Sequence, residues 1–303
     1  MALISFSCKQ KNHNSLIEIK KLDYPSASSV EYIKGRLFII GDDANDLLVL
    51  DTNFNIKDSI HFYNYPEKRI PKDIKPDLES IAFYRDNEGP EIFLFGSGSL
   101  SPYRNSGWRY NLETKIKDSI SLDSLYTAIK HEGINEINIE GACFIPGFLV
   151  LANRGNKAYP KNHLIFTKQK FWERKNDDDF NIALIGYQQD SSSFSGVSGI
   201  TYLAKNDWLI LSVSTEDTRN SFDDGAIGKS YLWIVKDISS KKRWRAINPD
   251  MIIDLESIDK CFSGQKIESA CVIAETKDFI QLVLVSDDDK GSSTVIKMNL
   301  EKD

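Results

Sequence analysis

The sequence is poor in the side chains on which most nucleophilic and redox chemistry depends. Its 303 residues include four histidines and four cysteines. His13, His61, His131 and His163 are scattered, no Ser-His-Asp arrangement is legible, and all four are expected at the surface. Cys8, Cys143, Cys261 and Cys271 form neither a CxxC nor a Cys/His spacing, which excludes a typical zinc ribbon or dithiol redox motif. No apolar run approaches the roughly 20 residues of a membrane-spanning helix. No basic stripe with interleaved aromatics is present and the net charge is −6, so nucleic acid is not an expected partner. Gly96-Ser-Gly98 follows an apolar strand but opens no helix, so it is not a dinucleotide fingerprint. The acidic balance suits a cation or a neutral ligand; an anionic ligand would need a metal or a local Arg/Lys cluster.

What is present is a substantial core composition, 41% hydrophobic and 11% aromatic, in a chain with no dividing linker. Lys175–Asp179 and Lys241–Arg243 read as solvated turns. At the start, a short apolar stretch ends in Ser7-Cys8 ahead of a polar tether. It reads either as the end of a truncated lipoprotein signal or as an ordinary short strand. The first reading places the protein in the periplasm or cell envelope, lipid-anchored at Cys8; the alternative is cytoplasmic. The expected division is a tail over 1–14 and a single domain over 15–303.

An internal repeat organises that domain. Five segments open on Ser or Glu followed by small residues, run through a half-apolar strand and a turn, and continue into a strongly apolar strand. The openings are Ser28, Glu79, Glu140, Ser198 and Glu268, so consecutive openings lie 51 to 70 residues apart. Third strands follow at 47–50, 108–112, 164–167, 231–235 and 294–298, and fourth strands at 56–61, 116–121, 182–187 and 244–247. A helix is expected at 122–131. The fifth repeat ends without a fourth strand, and Ser15–Lys20 can supply it. The pattern predicts an all-β, five-bladed β-propeller closed by the N-terminal strand pairing with the last blade. Six blades is the alternative, if 238–264 hides a weak one; Asp254–Ile258 there echoes Asp77–Ile81 but no strong apolar strand follows. Cys143 and Cys271 hold equivalent positions in apolar strands and are expected as small buried hydrophobes.

In a propeller the first strand of each blade is innermost, so its opening residue faces the central channel. Ser28, Glu79, Glu140, Ser198 and Glu268 are therefore expected to converge as a ring. Three carboxylates around one axis repel each other unless a cation compensates or a pKa rises. With oxygen ligands alone, the expected cofactor is calcium, Ca2+, or another hard cation, rather than zinc. Ser29 could replace Ser28, and Glu31 could lean in from further along the strand. The loops after the second strands should share this face, and their carboxylates could hold a further metal or activate a water. Arg104, Arg154, Lys157, Ser97 and Asn156 are candidates for binding a small phosphorylated molecule. Glu216, Asp217 and Asp223 are candidates for orienting a hydrolytic water.

The order Ser, Glu, Glu, Ser, Glu over five openings resembles the five-bladed calcium-activated nucleotidases, or apyrases. That resemblance implies an axial calcium on those five residues and hydrolysis of nucleoside di- and triphosphates. The Arg-Arg-Ala-Ser segment of those enzymes is absent, with Asn153-Arg154-Gly155-Asn156 roughly in its place. Gly96-Ser-Gly-Ser99 with Arg104, Ile139-Glu-Gly141, Arg154-Gly-Asn156, Glu216-Asp-Thr218 and Asp223-Asp-Gly225 resemble a bacterial propeller family grouped with the "esterase-like activity of phytase" proteins. This second resemblance covers most of the chain and implies the fold more strongly than any reaction. The functions in view are a metal-dependent phosphoester or phosphoanhydride hydrolase, or a non-catalytic binding propeller of the cell envelope with a structural calcium. A monomer is expected in either case.

Overall fold

The second strand of each repeat is apolar on both faces, so it must be covered on both sides. The runs Leu37–Ile40, Ile92–Phe95, Leu149–Ala152, Leu209–Leu211 and Leu282–Val285 are buried throughout. A ring of radially packed sheets satisfies them, because each sheet is sandwiched between two neighbours. The computed structural model describes residues 14–173, 180–186, 194–216, 227–287 and 291–302. It is a five-bladed propeller.

Blade 1 consists of β2 (Ala27–Ile33), β3 (Arg36–Gly41), β4 (Asp46–Asp51) and β5 (Ile56–His61). Blade 2 consists of β6 (Leu78–Asp86), β7 (Gly89–Gly96), β8 (Ser106–Asn111) and β9 (Lys117–Ser121). Blade 3 is built from β10 (Ile139–Ile145), β11 (Phe148–Asn153), β12 (Asn162–Lys168) and β13 (Asn181–Ile185). Blade 4 has β14 (Ser195–Leu203), β15 (Trp208–Glu216), β16 (Ile227–Val235) and β18 (Met251–Asp254). Blade 5 has β19 (Lys266–Glu275), β20 (Phe279–Asp287) and β21 (Ser293–Glu301), and β1 (Ser15–Leu22) pairs antiparallel with β21 to close the ring. Helix α1 (Asp123–His131) buries Leu125, Tyr126 and Ile129 between blades 2 and 3. No helix among the described residues is long and apolar enough to cross a membrane.

Three expectations need correction. The segment expected as the fourth strand of blade 4 near Trp244–Ile247 is not part of that blade. Trp244 is exposed, and β17 (Ala246–Ile247) runs parallel to β13, extending blade 3 by a short fifth strand. Blade 4 is completed instead by β18, antiparallel to β16, so the stretch 238–264 holds an outer strand and short helical turns, not a sixth blade. Lys241 is not a solvated turn residue: it is buried and donates to Asp250 at 2.9 Å. Finally, His163 is half-buried, and burial followed by the Lys161 charge pushes its pKa down to about 4. Cys143 and Cys271 are buried as expected, and burial raises both thiols.

The small residues after each opening have a packing cause. The innermost strands of adjacent blades almost touch. A Cβ on Gly199 would lie 2.5 Å from the Glu268 carbonyl oxygen, and one on Gly141 would lie 2.8 Å from the Ile200 amide nitrogen. In blade 1 the equivalent Ser29 uses its hydroxyl in this space: Oγ accepts from Ile81 N at 3.2 Å and meets Ser269 Oγ at 3.4 Å. Gly199→Ala is expected to cost about 3 kcal/mol, since the clash is with backbone that cannot move aside. Urea unfolding checks this; a variant with the wild-type midpoint would contradict the packing.

Candidate functional site

Each of the five opening residues occupies the same structural niche. The pairing of first and second strands slips between Ala27 and Ser29, Leu78 and Ser80, Ile139 and Gly141, Val197 and Gly199, and Ile267 and Ser269. The residue skipped in each case is Ser28, Glu79, Glu140, Ser198 or Glu268. A β-bulge leaves one residue unpaired and re-aims its side chain. The repeated opening in the sequence is therefore a repeated bulge at the inner edge of every blade.

The five side chains are held differently. Ser28 Oγ donates to the Ser26 carbonyl at 3.0 Å, and Ser198 Oγ donates to the Ile267 carbonyl of the next blade at 2.7 Å. Each hydroxyl thereby spends its proton and keeps lone pairs as acceptors. Glu140 accepts from Asn138 Nδ2 at 2.7 Å, and Glu268 pairs with Lys266 at 3.1 Å. Glu79 lies instead in a trio with Asp42 and Asp77, one carboxylate oxygen of each within 4.8 Å of the others. Burial raises the Glu79 pKa well above the usual carboxylate range, and the charges of Glu140, Asp77 and Asp42 push it further against the pull of Lys75.

The trio joins two pieces of chain. Asp42 comes from the turn after β3, Asp77 precedes β6, and Glu79 is the bulge residue of β6. Lys75 bridges the two aspartates, with Nζ bonded to Asp42 Oδ2 and 2.8 Å from Asp77 Oδ1. Burial would push Asp77 up, but Lys75 and Arg104 outweigh it and hold Asp77 below its ordinary value. Asp42 is raised, first by burial and then, despite Lys75, by Asp43 and Asp77. Oδ1 of Asp42 is buried and takes no hydrogen bond. The trio is a candidate site for a cation.

The loop residues singled out from the sequence are placed as follows. Arg104 is buried, with Nη1 at 2.8 Å from both Asp77 Oδ2 and Ser99 Oγ, and Nη2 at 3.1 Å from the Lys72 carbonyl. Ser97 also donates to Asp77 Oδ2. These two residues brace the acidic trio. Arg154 lies elsewhere, buried against Gly196, with Nη2 at 3.3 Å from Ser214 Oγ. It lines a pocket of about 250 Å3 with Asn156, Lys161 and His163. Asn156 Oδ1 accepts from Ala158 N at 2.9 Å and Tyr159 N at 3.0 Å, which fixes the loop carrying Lys157. Glu216 ends β15; Asp217 and Asp223 lie outside the described residues.

Asp42, Asp77, Lys75 and Arg69 were not singled out individually by sequence reasoning. The signal for Asp77 was present: it stands two residues before Glu79, where Asn138 and Lys266 stand before Glu140 and Glu268 and also bond the ring residue. Arg69 and Lys75 belong to the connection between blades 1 and 2, which carries no repeat signal.

Fold and site define a five-bladed β-propeller with an acidic, lysine-bridged cluster beside a ring of bulge residues. The chain belongs to the Family of unknown function (DUF6929), whose model matches residues 23–300. None of the curated proteins compared matches the sequence. Among solved structures, the glutaminyl cyclase of Myxococcus xanthus is similar, with TM-score 0.54 and 9% identity over 96% of this chain and 97% of that one. Virginiamycin B lyase from Staphylococcus aureus is more distant, with TM-score 0.38 and 10% identity over 93% of this chain and 99% of that one. The cyclase likeness is one of fold.

Proposed function

We propose that this protein is a calcium-dependent binding propeller whose cation sits beside the channel axis on Asp42, Asp77 and Glu79, where the ring side chain of Glu140 adds negative charge. The observation that carries this reading is the buried Oδ1 of Asp42. It takes no hydrogen bond, although it belongs to a trio of carboxylates within 4.8 Å of one another. A buried carboxylate oxygen without a donor is costly, and a cation satisfies it without needing a donor. All candidate ligands are oxygens, and calcium accepts six to eight of them in loose geometry, which suits groups brought together from two separate segments. Lys75 is the protein's own counter-charge for two of the three acids, and a cation would share or displace it.

Calcium is expected to raise the melting temperature of the wild-type protein. The gain should correspond to about 2.7 kcal/mol at a concentration 100 times its Kd. Magnesium should do much less, because it demands a tighter octahedron. Glu79→Gln should abolish the calcium shift while the variant still melts cooperatively. Absence of a calcium shift in the wild type, or its survival in Glu79→Gln, would refute the site.

A second reading, hydrolysis of a phosphoester or phosphoanhydride, is favoured by the buried Arg154 that lines a pocket with Asn156. It agrees with the resemblance to apyrases and to the phytase-grouped propellers. In this reading Arg154, Asn156 and Lys157 grip phosphate, while Glu216, Asp217 or Asp223 orients water. Phosphate release from nucleotides or phytate that requires calcium and fails in Arg154→Ala would establish it. No release with calcium or with chelator leaves the binding reading.

A further inference from the structure

Next to the acidic trio is a pocket of about 220 Å3 that shares Asp42 with it and is also lined by Lys75, the partner of Asp42 and Asp77. Its remaining wall is formed by the connection between blades 1 and 2, chiefly Arg69 and Lys72, by Asp43 and Ser26 of blade 1, and by Asp287 at the end of β20 in blade 5. The connection is fastened over blade 1 by backbone: Ile70 N donates to the Asp43 carbonyl at 2.8 Å, and Ala44 bridges to Arg69.

Arg69 is a positioned arginine. Its Nε donates to Asp43 Oδ2 at 2.6 Å and its Nη2 to Ser26 Oγ at 3.3 Å. Asp43 is almost wholly buried, 4% exposed, and its other oxygen, Oδ1, takes no hydrogen bond. The Arg69 side chain is 44% exposed, and its hydrogen bonds among the described residues use Nε and Nη2. One edge of the guanidinium is thus clamped by a buried acid, while Nη1 lies beside Gly291, where a Cβ would stand 3.4 Å from it. A guanidinium held in this way has already lost its rotamer freedom and presents donors matched to a planar or tetrahedral oxyanion. The Lys72 and Lys75 side chains add positive charge on the same wall.

We infer that this pocket binds a small phosphomonoester, with the phosphate between Arg69 Nη1 and the cation of the neighbouring trio, and with a hydroxyl of the ligand turned toward Asp43. The inference rests on the cation reading proposed above. It assigns the anion-gripping role to Arg69, on the connection between blades, rather than to Arg154. The alternation of base and acid around the pocket selects the ligand class. A bare anion would leave Asp43 Oδ1 without a donor, and a neutral polyol would offer no anionic acceptor to Arg69 Nη1. A phosphorylated polyol supplies both groups.

Isothermal titration calorimetry with glycerol 3-phosphate, in calcium and in chelator, tests this, with glycerol and sulfate as the two half-ligands. The expected result is binding in calcium, weaker binding in chelator, and weaker binding of either half-ligand. Arg69→Lys, which keeps a charge beside Asp43 but loses the fork, should weaken glycerol 3-phosphate binding roughly tenfold or more. Arg69→Met should weaken it further. Both variants should retain the wild-type calcium shift in melting temperature, which also reports that they are folded. Calcium binding without glycerol 3-phosphate binding, or ligand binding unchanged in both variants, would overturn the inference and leave the cation site standing. Lack of calcium binding in the wild type would instead strike the cation reading, and Arg69-dependent binding in chelator would then still support the pocket.

Discussion

A chain lacking β1 is expected to lose its cooperative thermal transition and to aggregate. Closure of the ring rests on this one strand. Residues Ser15 to Leu22 pair with β21, Glu18 pairs with Lys297 at 2.8 Å, and Asn14 Oδ1 accepts from Glu301 N at 2.8 Å. A further seam follows it in the chain, where Ser293 Oγ accepts from Ala27 N and donates to the Tyr24 carbonyl, both at 2.8 Å. Without β1, the nine-residue β21 becomes an open edge beside an apolar interior, which invites pairing with other copies. The loss should be comparable with the whole stability of an ordinary domain, about 5–15 kcal/mol. Size-exclusion chromatography and calorimetry read the outcome. A peptide spanning residues 14–22, added in trans, should restore part of the transition by strand addition. A truncated chain that melts as sharply and as high as the wild type would contradict this account of closure.

The second large effect concerns Glu31, three residues beyond the ring on the innermost strand of blade 1. Burial raises its pKa to about 7, only partly offset by the hydrogen bond from Tyr32 N at 3.0 Å. Its charge reaches the thiols of Cys143 and Cys271 on the innermost strands of blades 3 and 5, and raises them further. Because the folded pKa lies above the ordinary value of 4.5, the folded chain binds more protons than the unfolded chain between those two values. Stability attributable to Glu31 is therefore complete below about pH 4.5, falls as pH rises, and is fully lost above about pH 7. The total is about 3 kcal/mol. Glu31→Gln should match the wild type near pH 4 and exceed it by roughly that amount at pH 8, because the amide keeps an acceptor for Tyr32 N. Urea unfolding of both proteins at the two pH values measures the difference. An equal difference at both values would show that folding does not raise the Glu31 pKa.

The fold was legible because a propeller repeats one supersecondary unit: blades 1, 2 and 3 take their first four strands in plain sequence order, and blade 5 is completed by β1 as its missing strand required. Blade 4 shows where this fails. Its outer strand β18 has little burial pattern of its own, whereas Trp244–Ile247 looks more strand-like and is captured by the neighbouring blade. Outer strands are specified by the partner that reaches them, which local periodicity does not record.

Less of the candidate site was legible: of the trio Asp42, Asp77 and Glu79, the repeat pointed to Glu79 alone. Composition and repeat together determined a five-bladed ring, the five positions Ser28, Glu79, Glu140, Ser198 and Glu268, and the small residues behind them. These follow from local rules, since a bulge and a close strand crossing leave the same mark in every repeat. Only the tertiary structure decided that the ring is unequal. Ser198 is tied to the next blade, Glu268 is matched by Lys266, and Glu79 faces Asp42 and Asp77. It also decided that Arg104 braces Asp77 and that Arg69, from a connection without any repeat, is clamped over blade 1. Charge on a loop is visible in a sequence. Which opposite charge answers it depends on how separate segments pack, and that is settled only when the ring closes.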